Sequence, residues 1–191
     1  LMTALIETAL KPDFGDDFSL ECLGDLWFGP VCFNRSEVRA LFDRVFDREF
    51  IGPEQIASRL AMPLVTVYEY WLNDLGDCEK GVPIQARAQH IFSEYYRVEE
   101  GRDALLSGDT AAFGQFMNQS HESCARDYEI STRELDALCT ILNEAGCYGA
   151  RLTGAGFGGA VVALAPEDAV EGIIYSVREE YYRGTLGEEA N

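Results

Sequence analysis

The sequence predicts an α+β fold in which helices pack on a small antiparallel sheet, and two observations support this class. Apolar residues recur at helical spacing over most of the 191-residue chain. Further along, two short apolar stretches, 148–153 and 160–164, flank a run with four glycines in six residues. Such a run between two strand patterns indicates a hairpin turn. The chain is therefore expected to be helical, with a small sheet that includes this hairpin.

Residues 1–80 are predicted to form a mostly helical N-terminal extension. Apolar residues spaced from Met2 to Leu10 predict a short first helix. Ser36 is predicted to cap the next helix, and Pro53 can occupy the first turn of a third. The apolar segment 25–33 surrounds a Gly-Pro pair, so we expect an extended or turning segment that anchors on the core.

Residues 81–191 are predicted to form the main domain. A helix is predicted over 83–106, and Asp109 is predicted to cap the next one. A third helix is predicted to begin at a capping box at 131–134, with Ser131 or Thr132 near the cap, and to end at Gly146. A last helix is predicted over 166–182. The glycine turn lies between the last two helices and joins the two predicted strands.

The composition limits the partners that this chain can have. Its net charge is −18 at pH 7, from 33 acidic and 15 basic residues. A chain this acidic repels nucleic acid and anionic membranes, and no apolar stretch is long enough to cross a bilayer. No signal peptide is apparent. Six cysteines without C-x-x-C spacing predict reduced, mostly buried thiols in a cytoplasmic protein.

Residues 53–72 resemble a helix-turn-helix in outline, which raises DNA binding as an alternative. A recognition helix contacts phosphates and base edges through Arg, Lys, Asn or Gln. The second predicted helix, from Leu64, instead carries Tyr68, Glu69 and Tyr70 and has no basic residue before Lys80. A helical pair that packs on the core is therefore favoured, and no nucleic-acid partner is expected.

The glycine run is the strongest chemical signal, because successive backbone N–H groups in such a loop can converge on a phosphate. The Gly154-x-Gly156-x-x-Gly159 spacing also occurs in dinucleotide-binding folds, but there a helix follows the loop, whereas here a strand pattern follows. Too few residues remain after Val161 for the catalytic loops of a protein kinase. The Gly-Lys-Ser/Thr of a P-loop is absent. A tight hairpin without any ligand remains the alternative.

The other candidate residues favour structural roles. His90 and His121 are the only histidines, and neither belongs to a metal-binding motif, so no metal site is predicted. Glu94 and Arg97 lie three residues apart on one helix, where an ion pair explains them. Arg151 adjoins the glycine turn and can lie either against a phosphate or in solvent.

From residue 86 onward the chain resembles the C-terminal half of galactokinases, which are members of the GHMP kinases. The resemblance rests on four blocks in the same order, which are 87–90 (Arg-Ala-Gln-His), 117–123, 127–131 and 148–159. The last block contains the glycine turn and resembles the third signature motif of the family. The order of these blocks over about 80 residues is more specific than any single short motif.

The resemblance implies a GHMP-kinase C-terminal fold and a sugar kinase that transfers the γ-phosphate of ATP to a sugar hydroxyl with Mg²⁺. Galactose or a related sugar would be the substrate. In that family the glycine turn lies against the substrate and nucleotide, so it would be shaped here by Thr153, Gly154, Gly156, Phe157, Gly158 and Gly159. Bare backbone at such a turn lets a substrate come close.

The sequence departs from the family in ways that limit the expected activity. The ATP-binding motif, a glycine followed by several serines, is absent, and so is the sugar-binding motif of the N-terminal half. The catalytic acid and arginine of the family belong to that half, so no residue here receives those roles. Position 160 is alanine where the family usually has cysteine. We therefore expect a C-terminal domain without its N-terminal kinase domain and inactive alone. A non-catalytic sugar sensor or interaction module remains the alternative.

Overall fold

The computed structural model describes residues 1–29, 31–73, 81–185 and 187. The chain divides into two compact units, Leu1–Gln89 and His90–Asn191. The boundary predicted between residues 80 and 81 lies at the edge of a segment outside the described residues. In the described part, the architecture is mostly helical with one two-stranded antiparallel sheet, as the sequence predicts.

The described part of the first unit is helical. Its helices are α1 (Met2–Phe14), α2 (Asp25–Phe28), α3 (Arg35–Val45), α4 (Pro53–Leu60) and α5 (Leu64–Val67), and α5 continues as the π-helical turn Tyr68–Leu72. The helices predicted near Met2 and at Pro53 are confirmed. α1 packs against α3 and α4 and buries Leu5, Ile6 and Leu10.

Asn34, and not Ser36, caps α3. Its side-chain oxygen accepts hydrogen bonds from the N–H groups of Ser36 (2.9 Å) and Glu37 (3.1 Å), and the Glu37 carboxylate accepts one from the Asn34 N–H (2.8 Å). The prediction of Ser36 is wrong by two residues, because the extended backbone that a cap requires is at Asn34 and Ser36 already lies in the helix.

The segment predicted as extended or turning contains a single helical turn, α2. The Asp25 carboxylate accepts hydrogen bonds from the N–H groups of Glu21 (2.7 Å) and Cys22 (3.0 Å), which folds the chain into this turn. Leu26 is fully buried, and the Phe33 N–H donates to its carbonyl at 2.8 Å. The expectation that this apolar segment anchors on a core therefore holds, and its first part, Asp25–Phe28, is helical.

The outline of a helix-turn-helix is present in α4 and α5, with Ala61 in the left-handed conformation at the turn. Arg59 is the one basic residue between positions 53 and 72. It donates to the Val45 carbonyl (2.5 Å) and lies 2.8 Å from the Asp47 carboxylate. Arg59 thus makes contacts within the protein, which agrees with the interpretation of this stretch as a helical pair that packs on the core.

The second unit contains the hairpin and the helices around it. Helix α6 spans Ile84–Ser107, so its first residues belong to the first unit. Two helices follow, α7 (Thr110–Arg126) and α8 (Arg133–Glu144), and then the two strands, β1 (Gly149–Thr153) and β2 (Ala160–Leu164). The last elements are a 3₁₀ turn (Glu167–Ala169), α9 (Val170–Ser176) and the π-helical segment Val177–Thr185. The predicted order of elements is confirmed. The helix predicted over 166–182 is regular only in α9, because it begins as the 3₁₀ turn and ends as the π-helical segment.

The caps of α7 and α8 test two further predictions. Asp109 caps α7 as expected, because its carboxylate accepts from the Ala112 N–H at 2.9 Å. Thr132 caps α8 by accepting from the Leu135 N–H at 3.3 Å, so the capping box predicted at 131–134 does not form. Ser131 instead donates to the Asp136 carboxylate at 2.5 Å.

The hairpin is antiparallel, with Gly149 opposite Leu164 and Thr153 opposite Ala160. One face of β1 is buried against α7 and α8, where Leu152 packs with Cys124 and Leu135. α7 approaches the start of β1 closely, because a Cβ on Gly149 would meet the Gly114 backbone and a Cβ on Gly114 would meet Tyr148, the residue before β1. A side chain at either position would push α7 away from the hairpin.

The cysteines are less buried than the sequence predicts. Cys124 and Cys139 are buried, but Cys22 and Cys32 are exposed, and Cys78 lies outside the described residues. The five described cysteines are free thiols. Burial raises the pKa of the Cys139 thiol to about 12, which makes it unreactive. Of the helices that the structure describes, none is both long and apolar enough to traverse a bilayer.

Candidate functional site

The glycine turn between β1 and β2 is open to solvent. Gly154, Gly156, Gly158 and Gly159 all have φ between 81° and 128°, in the region that favours glycine. Phe157 shares this conformation with φ of 59°, and 76% of the residue is exposed. The turn leads into a strand and not into a helix. Its bare backbone therefore faces a region where a ligand could approach.

One residue outside the turn, Ile130, fixes its shape. The Phe157 N–H donates to the Ile130 carbonyl at 2.7 Å, which holds Phe157 in its uncommon left-handed conformation. A Cβ on Gly156 would lie 2.5 Å from the same carbonyl oxygen, so glycine is required there for space as well as for φ. The segment before α8 thus holds the turn in its conformation through the Ile130 carbonyl.

Most of the N–H groups of the turn are free to bind an anion. Within the described part of the chain, those of Gly154, Ala155, Gly156, Gly158 and Gly159 donate to no protein acceptor that is seen in the structure. The exception is Phe157, whose N–H bonds to Ile130. Several free N–H groups in one turn suit a phosphate or a sugar hydroxyl. No group of three His, Cys, Asp or Glu that could hold a metal occurs among the described residues, so these residues offer no cage for Mg²⁺.

Two side chains of α7 satisfy the free edge of β1 and so position the strand that enters the turn. Asn118 accepts from the Ala150 N–H at 2.9 Å, and His121 Nδ1 accepts from the Leu152 N–H at 3.3 Å. His121 Nε2 lies 3.1 Å from the Asp136 carboxylate of α8. Because Nδ1 accepts a hydrogen bond, we assign the proton of the neutral ring to Nε2.

The environment of His121 favours this neutral form. Burial lowers the pKa of the imidazole, and the Asp136 carboxylate opposes this effect only in part, while Arg151 lowers the pKa further. A proton on Nδ1 would also break the hydrogen bond from the Leu152 N–H. His121 therefore connects β1 with α7 and α8. This contact agrees with the structural role that the sequence analysis favours for this histidine.

His90 belongs to a second polar chain at the end of α7. Ser123 donates to the Asp127 carboxylate at 2.8 Å, and His90 Nδ1 lies 3.0 Å from the Ser123 oxygen. The His90 ring stacks on Tyr128 with ring centroids 4.6 Å apart. Since the Ser123 proton points to Asp127, the serine is not activated by the imidazole as in a hydrolase. These contacts fix the chain that leads to Ile130.

Arg151 faces α6 and not the glycine turn. Its Nε donates to the Leu152 carbonyl at 3.0 Å, and its Nη1 lies 3.9 Å from the Glu94 carboxylate. Glu94 also accepts from the Ser120 hydroxyl at 2.6 Å and pairs with Arg97 one turn further along α6. The ion pair between Glu94 and Arg97 agrees with the sequence-based interpretation.

The six site residues predicted from the sequence, Thr153 to Gly159 without Ala155, all lie in or beside the turn and next to one another. Sequence reasoning missed the residues outside the turn that hold it in place. Ile130, Asn118 and His121 carry no glycine-like signal and come close to the hairpin only through the packing of α7 and α8.

Comparisons with known proteins show what this region is similar to. Residues 102–183 match the family model of the GHMP kinases C-terminal domain. The galactokinase of Roseiflexus sp. (strain RS-1) is 45% identical over 104 residues, which are 54% of this chain and 27% of that protein. The galactokinase of Streptococcus thermophilus is 45% identical over 96 residues, which are 50% of this chain and 25% of that protein.

A solved structure resembles a larger part of the chain. The crystal structure of Lactococcus lactis galactokinase complexed with galactose is similar with a TM-score of 0.56 and 27% sequence identity. The similarity covers 96% of this chain and 37% of that one. The sequence matches thus span about a quarter of the length of the curated relatives, and the structural match spans over a third of the solved chain.

Proposed function

We propose that this chain is the C-terminal part of a galactokinase-like sugar kinase, because residues 102–183 match the family model of the GHMP kinases C-terminal domain and the sequence relatives named above are galactokinases. The complete enzyme would transfer the γ-phosphate of ATP to a hydroxyl of galactose or a related sugar. The observation that carries the proposal is the exposed glycine turn with its free N–H groups, in the domain that matches the family.

We infer that the turn forms one wall of the substrate and nucleotide site, through Thr153, Gly154, Gly156, Phe157, Gly158 and Gly159. Phosphoryl transfer depends mainly on positioning and on neutralising charge, and free N–H groups on a supported turn supply both without a side chain. Support from Ile130 keeps the turn in one conformation, which reduces the entropy lost when a ligand binds.

ATP and Mg²⁺ are the cofactors of this proposal. The free N–H groups of the turn fit a phosphate oxygen, whereas the described residues offer no carboxylate cluster for the metal. The N-terminal kinase domain of the family would therefore hold Mg²⁺, together with the catalytic acid and arginine. The cytoplasmic location expected from the sequence stays a prediction.

Residues 1–80, which the sequence leaves without a role, are proposed to belong to the same kinase architecture. The similarity to Lactococcus lactis galactokinase covers 96% of this chain, a share that includes most of these residues. This coverage supports a structural extension of the kinase more than an effector domain added to it.

Two assays test the proposal. The chain alone, given ATP with galactose or galacturonate, is expected to show no sugar-dependent ADP release in a coupled assay. A chimera in which residues 102–183 replace the matching segment of Streptococcus thermophilus galactokinase is expected to phosphorylate galactose. The Gly156→Ala variant of the chimera should lose most of its kcat/KM, because the turn can no longer adopt its shape. A well-folded but inactive chimera would contradict the assignment of this segment.

The alternative is a non-catalytic sugar sensor or interaction module derived from a galactokinase. The gene upstream of residue 1 discriminates between the two. If about 150 to 200 codons with the serine-rich phosphate motif precede it, the enzyme is supported, since a phosphoryl-transfer site needs those parts.

A further inference from the structure

A cavity of about 500 Å³ lies between α6 and α7, and its lining includes no residue of the glycine turn at 154–159. Arg151 of β1 closes one end, and the rest of the lining comes from one face of each helix. The lining on α6 extends from Glu94 to Leu106, which is roughly 18 Å along the helix. A volume of this size falls in the range of small-molecule sites.

The two ends of this cavity differ in chemistry. At the end near β1, two guanidinium groups, Arg97 and Arg151, face a single carboxylate, Glu94. Asp127 and Glu100 also act on Arg97 but do not line the cavity. Burial lowers the pKa of Arg97, which shows that this charge is costly to keep away from water. The lining of this end thus carries an excess of positive charge.

The rest of the cavity is mostly apolar, and its charged lining residue is Arg102, which pairs with Glu99 and Asp103. Its walls are the side chains of Val98, Leu105, Leu106, Phe113, Phe116 and Met117. Leu106 is 80% exposed and Val98 is 67% exposed, so these side chains are not covered by the described part of the chain. Gly101 forms the floor between them, where a Cβ would only touch the ring of Phe113 at 3.4 Å.

We propose that this cavity binds a small amphipathic carboxylate, with its anionic group at Arg97 and Arg151 and its hydrocarbon body between α6 and α7. The site is separate from the phosphoryl-transfer function proposed above. Charge complementarity argues for this occupant, because a neutral apolar ligand would leave the two guanidinium groups with one carboxylate between them. The rest of the protein is acidic, with a net charge of −18, so an anion is attracted only by a local site.

The test is a titration of this chain with three ten-carbon probes that differ only in their polar group. Decanoate is expected to bind with one-to-one stoichiometry in calorimetry. Decanol is expected to bind about tenfold or more weakly, because it lacks the charge-assisted hydrogen bonds. Decyltrimethylammonium, which the net charge of the protein would attract, is expected to bind more weakly still.

Matched variants locate the site. Gly101→Leu fills the floor of the cavity and should weaken decanoate binding about tenfold or more. Gly172→Leu is the control, since Gly172 lies in α9 with nothing within 4 Å of an added Cβ. Both variants replace a helical glycine, so the thermal midpoint of each should stay the same or rise. A loss of decanoate binding in Gly101→Leu is then not caused by unfolding. Arg151→Gln should weaken decanoate but not decanol, with the exposed Arg126→Gln as control.

Two results would overturn this inference. The first is equal binding of decanoate and decanol, which would make the cavity a non-specific apolar groove. The second is unchanged decanoate binding in a folded Gly101→Leu variant, which would place the ligand elsewhere. Neither result bears on the sugar kinase proposal, which is tested with the chimera.

Discussion

His121 illustrates how one side chain can secure the candidate site without touching a ligand. It accepts a hydrogen bond from the strand that enters the turn and contacts α8 through its other nitrogen. Its pKa is lowered in the folded protein from the ordinary value of 6.5, mainly because burial disfavours the charged ring. The folded state therefore releases this proton more readily than the unfolded chain does.

The stability of the protein should fall as the pH decreases below about 6.5, because the unfolded chain then binds a proton that folded His121 resists. This contribution is fully present above the unfolded pKa and is lost as the pH falls towards the folded pKa. In a His121→Asn variant, the side-chain oxygen can still accept from Leu152 but does not titrate. Urea unfolding between about pH 5 and pH 7 should thus show a flatter pH dependence for this variant.

His90→Asn serves as the control for this prediction. It removes the other histidine and leaves His121 in place, so the decline of stability between pH 6.5 and pH 5 should persist. If the two variants show the same pH dependence as the unchanged protein, His121 is not the group that titrates.

At the scale of the element, the glycine turn contains residues that are required for different reasons. Gly154 and Gly156 both have positive φ, of 91° and 81°. A Cβ on Gly154 would meet nothing within 4 Å, whereas on Gly156 it would lie 2.5 Å from the Ile130 carbonyl oxygen. The first position requires glycine for its backbone alone, and the second requires it also because another segment lies against it.

Substitution by alanine should separate these two effects. Gly154→Ala is expected to reduce the free energy of unfolding by about 1 kcal/mol, the cost of a left-handed residue with a side chain. Gly156→Ala is expected to cost about 3 kcal/mol, because steric overlap with Ile130 adds to the same backbone cost. Urea denaturation of both variants measures the difference. Equal losses would mean that the Ile130 contact contributes nothing.

The turn also shows how far sequence patterns reach. The four glycines between two apolar stretches are sufficient to predict the hairpin, and the structure adds its register, in which Gly149 pairs with Leu164. The hydrogen bond between Phe157 and Ile130 could not be predicted, because it joins residues 27 positions apart along the chain. The cap at Asn34 was missed, since neighbouring polar residues have similar capping preferences, whereas the cap at Thr132 is one of the two hydroxyl residues expected there.

At the scale of the whole molecule, the dominant property is the charge of −18 on 191 residues. Several acidic groups are paired, as Asp47 is with Arg59, but 15 basic residues cannot compensate 33 acidic ones. Repulsion among the unpaired carboxylates favours the expanded chain over the compact one. The folded state therefore carries an electrostatic cost that dissolved ions can screen.

Raising sodium chloride from about 0.02 M to about 0.5 M should consequently increase the thermal midpoint by a few degrees, because the Debye length shrinks below the spacing of surface charges. Differential scanning calorimetry at pH 7 measures this shift. Chloride is preferred to sulfate, which stabilises proteins by exclusion from their surface. A midpoint that stays constant or falls with salt would mean that attractive ion pairs outweigh the repulsion.

The sequence by itself determined the helical periodicity, the hairpin, the acidic charge and the likeness to galactokinases, since each depends only on which residues are present and in what order. The tertiary structure alone decided that Ile130, Asn118 and His121 support the turn, that Arg151 faces α6, and that a cavity with one cationic end lies between α6 and α7. Local patterns fix local backbone preferences, whereas these contacts depend on how α6, α7 and α8 pack against one strand. That packing follows from side-chain volumes and from the bare backbone at Gly114 and Gly149.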